Sequence, residues 1–290
     1  MITPVMTTSA PGIVRPARRR PTGWRPPGPS PAAPADRPEL WPGPGEDLCH
    51  LAGDWRILQL LRGHRWSLDD LATAWFAADT VADTPPQRFA DLGCGIGAVL
   101  LLLAWRFPDA CGVGVEAQDV SVGLARRSLA WNGADRRCMV RHGDLRDPAH
   151  WPEGAVFDLV TGTPPYLPIG SAHASARAQW AACHLEQRGG IDAYCDAAAR
   201  LLAPHGRFVT CAGGTQHARV ARAAAAAGLV PLRRRDVVPR AGKPPLFAVW
   251  AFAHAGIDAC RVEEPLVVRD AAGRWTDAFR AVRVAMGMPA

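Results

Sequence analysis

The chain has 290 residues, is 48% apolar and carries a formal charge of +6, enough apolar material for one large domain or two small ones. No run of about 18 uncharged apolar residues appears, so no membrane-spanning helix is expected, and the region after Met1 lacks the basic start and apolar block of a secretion signal. The eight cysteines form no C-x-x-C pair, which argues against a zinc cluster or a disulfide framework and leaves free thiols in a reducing cytoplasm as the expectation.

Residues 1–45 are rich in Pro, Gly and Arg and show no helical or strand periodicity. Arg15, Arg18, Arg19, Arg20, Arg25 and Arg37 outnumber Asp36 and Glu39, so this segment holds +4 of the charge and the rest about +2. The composition predicts a disordered arm, either solvated or touching nucleic acid through counterion release. The near-neutral remainder gives no argument from charge for RNA binding.

Residues 46–85 read as a lid segment. An apolar run and Gly63 precede an amphipathic helix from about Leu68 to Ala78, with Ser67 as cap and Asp70 as the third helical residue of a capping box. This helix either covers the sheet or turns Arg65, Trp66, Ser67 and Asp69 toward a ligand.

The core, 86–255, opens on FADLGCGIGA, Phe89 to Ala98. A short apolar run delivers Asp91, then Gly93, Gly95 and Gly97 alternate around Cys94, then a helix spans 98–107. Glycines accept positive φ and let a ligand lie against the backbone, while the helix start presents free N–H groups and a positive dipole end. Ala98 fills the last small-residue place of the dinucleotide fingerprint, so the loop alone does not separate a nicotinamide site from another nucleoside site.

CGVGVE is a second strand ending at Glu116, where a carboxylate can accept two hydroxyl bonds from a ribose diol. A helix from Asp119 to Asn132 follows. MVRHGD is a third strand ending at Asp144, and VFDLVTG a fourth that runs into Thr163, Pro164, Pro165 and Tyr166. A long stretch of weak periodicity comes next. Then come a helix near 191–203, the strand RFVTCAG, a helix at 215–227, a strand near 229–238 and a last strand in KPPLFAVWAF. VVRDAAGRWTD reads as a small hairpin, and 256–290 ends in a short helix. Alternation of strand and helix implies a parallel sheet covered on both faces, with Asp91, Glu116, Asp144 and Thr163 at carboxyl ends where such sheets bind ligands.

Acid-ended strands followed by TPPY resemble the class I amino-methyltransferases, which use S-adenosylmethionine (AdoMet) and carry N/D/S-P-P-Y/F. GHRWSLDDLATAWFA before the loop, TPPYLPIG after it and the ending EEPLVVRDAAGRWTDAFRAVRVAMG narrow the resemblance to bacterial tRNA(Val) adenine-N6 methyltransferases, over about residues 46–290. It implies a Rossmann-like, mostly parallel seven-stranded sheet, AdoMet as cofactor and tRNA as partner. Asp91, Gly93, Cys94, Gly95, Gly97, Glu116 and Asp144 would then hold the cofactor. Thr163 Oγ and the Pro164 carbonyl would take hydrogens from an exocyclic amine, Pro165 would stiffen the turn, and Tyr166 would stack on the base. Thr163 departs from the family's Asn, Asp or Ser. Release-factor glutamine methyltransferases share this core, and a protein that binds AdoMet or RNA without catalysis is a third reading. No metal cluster is visible, and a monomer without membrane contact is expected.

Overall fold

The computed structural model describes residues 12–16, 20–165, 189–254 and 260–290. Apolar residues that alternate along each strand feed two cores, one on each face of a central sheet.

The sheet is built from β4 (Arg88–Leu92), β5 (Cys111–Glu116), β6 (Cys138–His142), β7 (Phe157–Gly162), β8 (Leu202–Gly213), β9 (Val230–Val238), β10 (Phe247–Ala253) and β11 (Arg261–Val267). Its order is β11-β9-β10-β8-β7-β4-β5-β6. Only β10 runs against its neighbours β8 and β9. The sheet therefore has eight strands where the sequence predicts seven. The extra one, β11, pairs in parallel with β9 and carries the exposed Val262 and a break in register between Glu263 and Leu266. Its polar, proline-bearing sequence, RVEEPLV, hides it from a periodicity reading. The expected hairpin reduces to one bridge between Arg269 and Trp275.

Six described helices cover the sheet: α1 (Leu68–Thr80), α2 (Ala98–Arg106), α3 (Asp119–Trp131), α4 (Ile191–Leu201), α5 (His217–Ala226) and α6 (Asp277–Ala285). Phe89 and Leu159 enter one core with Leu71, Phe76 and Leu101, while Ala90, Leu92 and Val160 enter the other with Tyr194, Cys195 and Val220. The chain leaves β4 toward β5 and β6, then crosses to β7 and β8 on the other side. That reversal opens a crevice between β4 and β7 at the carboxyl ends of the strands.

A third layer lies outside the helices. Strands β2 (Glu46–His50) and β3 (Arg56–Leu60) form a hairpin that the sequence predicts only as an apolar run. It packs on α3 through Ser128 Oγ, which accepts the Leu58 N–H, and Asn132, which bonds both backbone groups of Arg56. The predicted disorder of 1–45 is corrected for residues 12–16 and 20–45, which lie against this layer. Strand β1 (Ile13–Val14) pairs with β2, Arg15 reaches the buried Asp47 at 2.8 Å, and Trp41 meets Trp131 edge-on at 5.1 Å. Arginine and tryptophan anchors hold this segment without an apolar stripe of its own.

Candidate active site

The glycine loop is fixed from below. Backbone φ is +56° at Gly93, +54° at Gly95 and +85° at Gly97. Asp91 stands inside β4 and is buried. Its carboxylate accepts the hydroxyl of Thr161, its register partner on β7, at 2.9 Å and an N–H from Leu100 in the first turn of α2. One side chain thus ties both central strands to the start of the helix and offsets that helix's unpaired donors. Burial, with the charge of Glu116 adding to it, pushes the Asp91 carboxyl up to about 7 against the pull of these two donors. Asp70, in the first turn of α1, is another buried carboxyl here. Burial raises it well above the usual range, and Asp69 and Asp91 raise it further. Its Oδ2 accepts the Ser67 N–H at 2.9 Å, as the predicted capping box requires.

Glu116 closes the β5 side. Its oxygens accept N–H groups from Gly95 at 3.0 Å and Gln118 at 2.7 Å, which aim the carboxylate along the loop. No atom lies within 4 Å of where a Cβ on Gly95 would stand. Cys94 belongs to the loop by backbone only. Its N–H goes to the Val115 carbonyl, its carbonyl takes the Gly97 N–H, and its thiol is packed on Gly114. Cys94, expected among the cofactor-binding residues, shapes the turn through its backbone and turns its thiol into the protein. Asp144 lies two residues beyond β6, where Arg146 grips both carboxylate oxygens at 2.5 to 3.1 Å.

Thr163, Pro164 and Pro165 follow β7 directly, across the crevice from the glycine loop. Tyr166 lies outside the described residues. The Gly162 carbonyl accepts the buried Thr210 hydroxyl at 2.9 Å, which holds the end of the strand. Tyr194, which sequence reasoning passed over, links the two halves. A Cβ on Gly93 would lie 2.2 Å from its Oη, and one on Gly162 would lie 2.6 Å from its ring. Its place in a helix predicted only by pattern gave no signal. Arg65 and Trp66 do not face this site: Arg65 pairs with Asp47 and the Trp66 N–H bonds Gln59.

The family model described as "Methyltransferase small domain" matches residues 67–192. The chain is 29% identical over 215 residues to the tRNA1(Val) (adenine(37)-N6)-methyltransferase of Porphyromonas gingivalis, covering 72% of this chain and 82% of that protein. The protein is an AdoMet-dependent methyltransferase. This methyltransferase is also 29% identical over 205 residues to the release factor glutamine methyltransferase of Caulobacter vibrioides, covering 65% of this chain and 68% of that one. Its fold is shared with a crystal structure of a predicted O-methyltransferase from Agrobacterium tumefaciens, at a TM-score of 0.57 and 20% identity over 76% of this chain and 98% of that one. The site fits AdoMet: open space over Gly95, an oriented carboxylate at Glu116 and a helix start aimed at the loop suit a nucleoside with a charged tail. Among the described residues no helix is long and apolar enough to cross a membrane.

Proposed function

We propose that the protein methylates the exocyclic N6 amine of an adenine in tRNA. The observation that carries this reading is the position of Thr163-Pro164-Pro165, at the end of β7 and across the switch-point crevice from the glycine loop. The resemblance to the Porphyromonas gingivalis protein along most of its length supports the same acceptor.

AdoMet supplies a methyl group on a sulfonium, open to in-line displacement. The chain's own work is to bind, orient and exclude. Glu116 would accept the ribose hydroxyls and the backbone at Gly93 and Gly95 would lie against the cofactor, while Asp91 holds the loop and helix in register. Asp144, engaged by Arg146, would serve the edge of the cofactor's base. An exocyclic amine is a poor nucleophile because its lone pair is delocalised into the ring. Thr163 Oγ and the Pro164 carbonyl accept its two hydrogens and turn the lone pair toward the methyl, so placement supplies much of the rate. Tyr166 stacks on the extruded base.

A second reading, methylation of a protein glutamine amide, draws support from relatives with that activity in their names. An amide nitrogen poses the same lone-pair problem. Incubation with methyl-labelled AdoMet and bulk tRNA, and separately with release factor, separates the two. Label in RNA at N6-methyladenosine is expected; label confined to the protein would replace the first reading with the second.

A further inference from the structure

The arm, the hairpin and the carboxyl-terminal segment enclose a cavity of about 430 Å³ on the outer layer. Trp24, Trp66 and Trp275 line it together with Arg20, Arg269 and Arg283, and no aspartate or glutamate is among the lining residues. Gly53 and Gly287, also in its wall, approach Trp105 in the last turn of α2. That end lies about 13 Å along the helix from the glycine loop.

Of the three guanidiniums, Arg20 is paired, and Arg269 and Arg283 are held without a carboxylate partner among the described residues. Arg20 is fixed by Asp54 at 2.8 Å, by the Gly53 carbonyl at 2.8 Å and by His50 Nδ1 at 3.0 Å. Burial and the guanidiniums of Arg56 and Arg20 push His50 down to about 4, so at neutral pH its ring accepts from Arg20. Arg283 lies 4.0 Å from the Trp275 ring centre and Arg269 5.9 Å from it. Their hydrogen bonds go to the carbonyls of Pro289 and Gly273, and among the described residues neither has a carboxylate within 4.0 Å. Two guanidiniums beside an indole, with no described carboxylate within 4.0 Å of either and two further indoles in the wall, suit an anion attached to a flat ring.

We propose that this cavity is a nucleotide-binding site, with a base stacked on tryptophan and its phosphate on Arg269 and Arg283. The site is separate from the cofactor crevice and does not depend on the proposed adenine acceptor. Its nucleotide comes either from an RNA strand laid along the outer layer or from a free mononucleotide. Base stacking on an aromatic side chain tolerates any base, so recognition here is of nucleotide chemistry rather than sequence.

The test measures binding by the full chain, without turnover. Affinities for bulk tRNA, AMP and AdoMet are determined for the native protein and for Arg269→Gln, Trp24→Leu, Trp275→Leu and the control Arg136→Gln, an exposed arginine outside the cavity. Arg269→Gln and Trp24→Leu are partly exposed replacements that keep the result readable if Trp275→Leu fails to fold. A loss of tRNA affinity of roughly 5- to 100-fold in the cavity variants, with AdoMet affinity unchanged and Arg136→Gln within about twofold, supports the site with an RNA strand as source. Arg269→Gln should also flatten the salt dependence of tRNA binding by about 0.7 to 0.9 in slope. AMP binding lost in the same variants, with tRNA affinity unchanged, supports it with a free nucleotide as source. Unchanged tRNA affinity and no AMP binding would overturn the proposal. So would an equal loss in Arg136→Gln, or competition by poly-glutamate as strong as by RNA.

Discussion

The cofactor crevice and the outer layer are assembled by opposite kinds of contact. In the crevice, residues close in sequence shape the glycine loop, and a few distant side chains hold it in place. Gly93 to Gly97 set the loop by backbone angle, and Cys94 and Gly97 close their own turn. In the outer layer, side chains far apart in sequence do it: Arg15 and Arg65 on Asp47, Arg127 on Glu46, Trp41 on Trp131. The crevice should therefore fail through single backbone positions, and the outer layer should yield by increments.

The largest effect is expected from Gly93→Ala. A Cβ at positive φ costs about 1–2 kcal/mol, and here it would also press on Tyr194 Oη. AdoMet binding should be lost and Tm should fall by about 10 °C. Adding Tyr194→Phe removes the opposing oxygen and should restore part of the Tm in a melting scan. No recovery would show that the contact is not the cause. Gly95→Ala meets open space instead, so it should weaken AdoMet binding with a Tm loss of only about 3 °C.

Next comes Thr163. If its hydroxyl takes a hydrogen from the acceptor amine, Thr163→Ala and Thr163→Val should both slow single-turnover methyl transfer by roughly 10- to 1,000-fold, with AdoMet affinity little changed. Full activity in both variants would assign the orientation to the Pro164 carbonyl and its neighbours. Thr163→Asn should keep or raise transfer to adenine.

The acids follow. Glu116→Ala should cost about 1.5–3 kcal/mol of AdoMet affinity by calorimetry; Asp144→Ala should cost less, because Arg146 already engages that carboxylate in the free protein. Asp91, held at about 7, gives a pH signature. Its proton is bound more tightly in the folded chain than in the unfolded one, so its contribution to stability falls as pH rises from about 4 to about 7 and is then flat. Ligand binding that needs the carboxylate should strengthen over the upper part of that window. Asp91→Asn should abolish the pH dependence of AdoMet affinity between pH 5 and 8; an unchanged profile would move the titration to Asp70 or another group.

The smallest effect is expected in the outer layer. Deleting residues 1–45 removes β1 and the Arg20–Asp54 and Trp41–Trp131 contacts, and should lower Tm by several degrees with AdoMet affinity intact. An unchanged Tm would show that these contacts contribute no net stability.

The sequence by itself determined the crevice. Glycine spacing, acids at strand ends and the proline pair act through local backbone geometry, so Asp91, Glu116, Gly95 and Thr163 could be placed before any contact was known. The alternation of strand and helix also set the parallel core. Tertiary structure alone decided the rest. Asp91 became a tie between β4, β7 and α2 because Thr161 meets it from 70 residues away and Leu100 from the first turn of the following helix. Tyr194 gained its place only when α4 packed under two glycines. The arm and β11 took fixed positions through paired charges and indole contacts, whose partners no local period reveals, because an ion pair needs proximity in space and leaves no spacing in the chain.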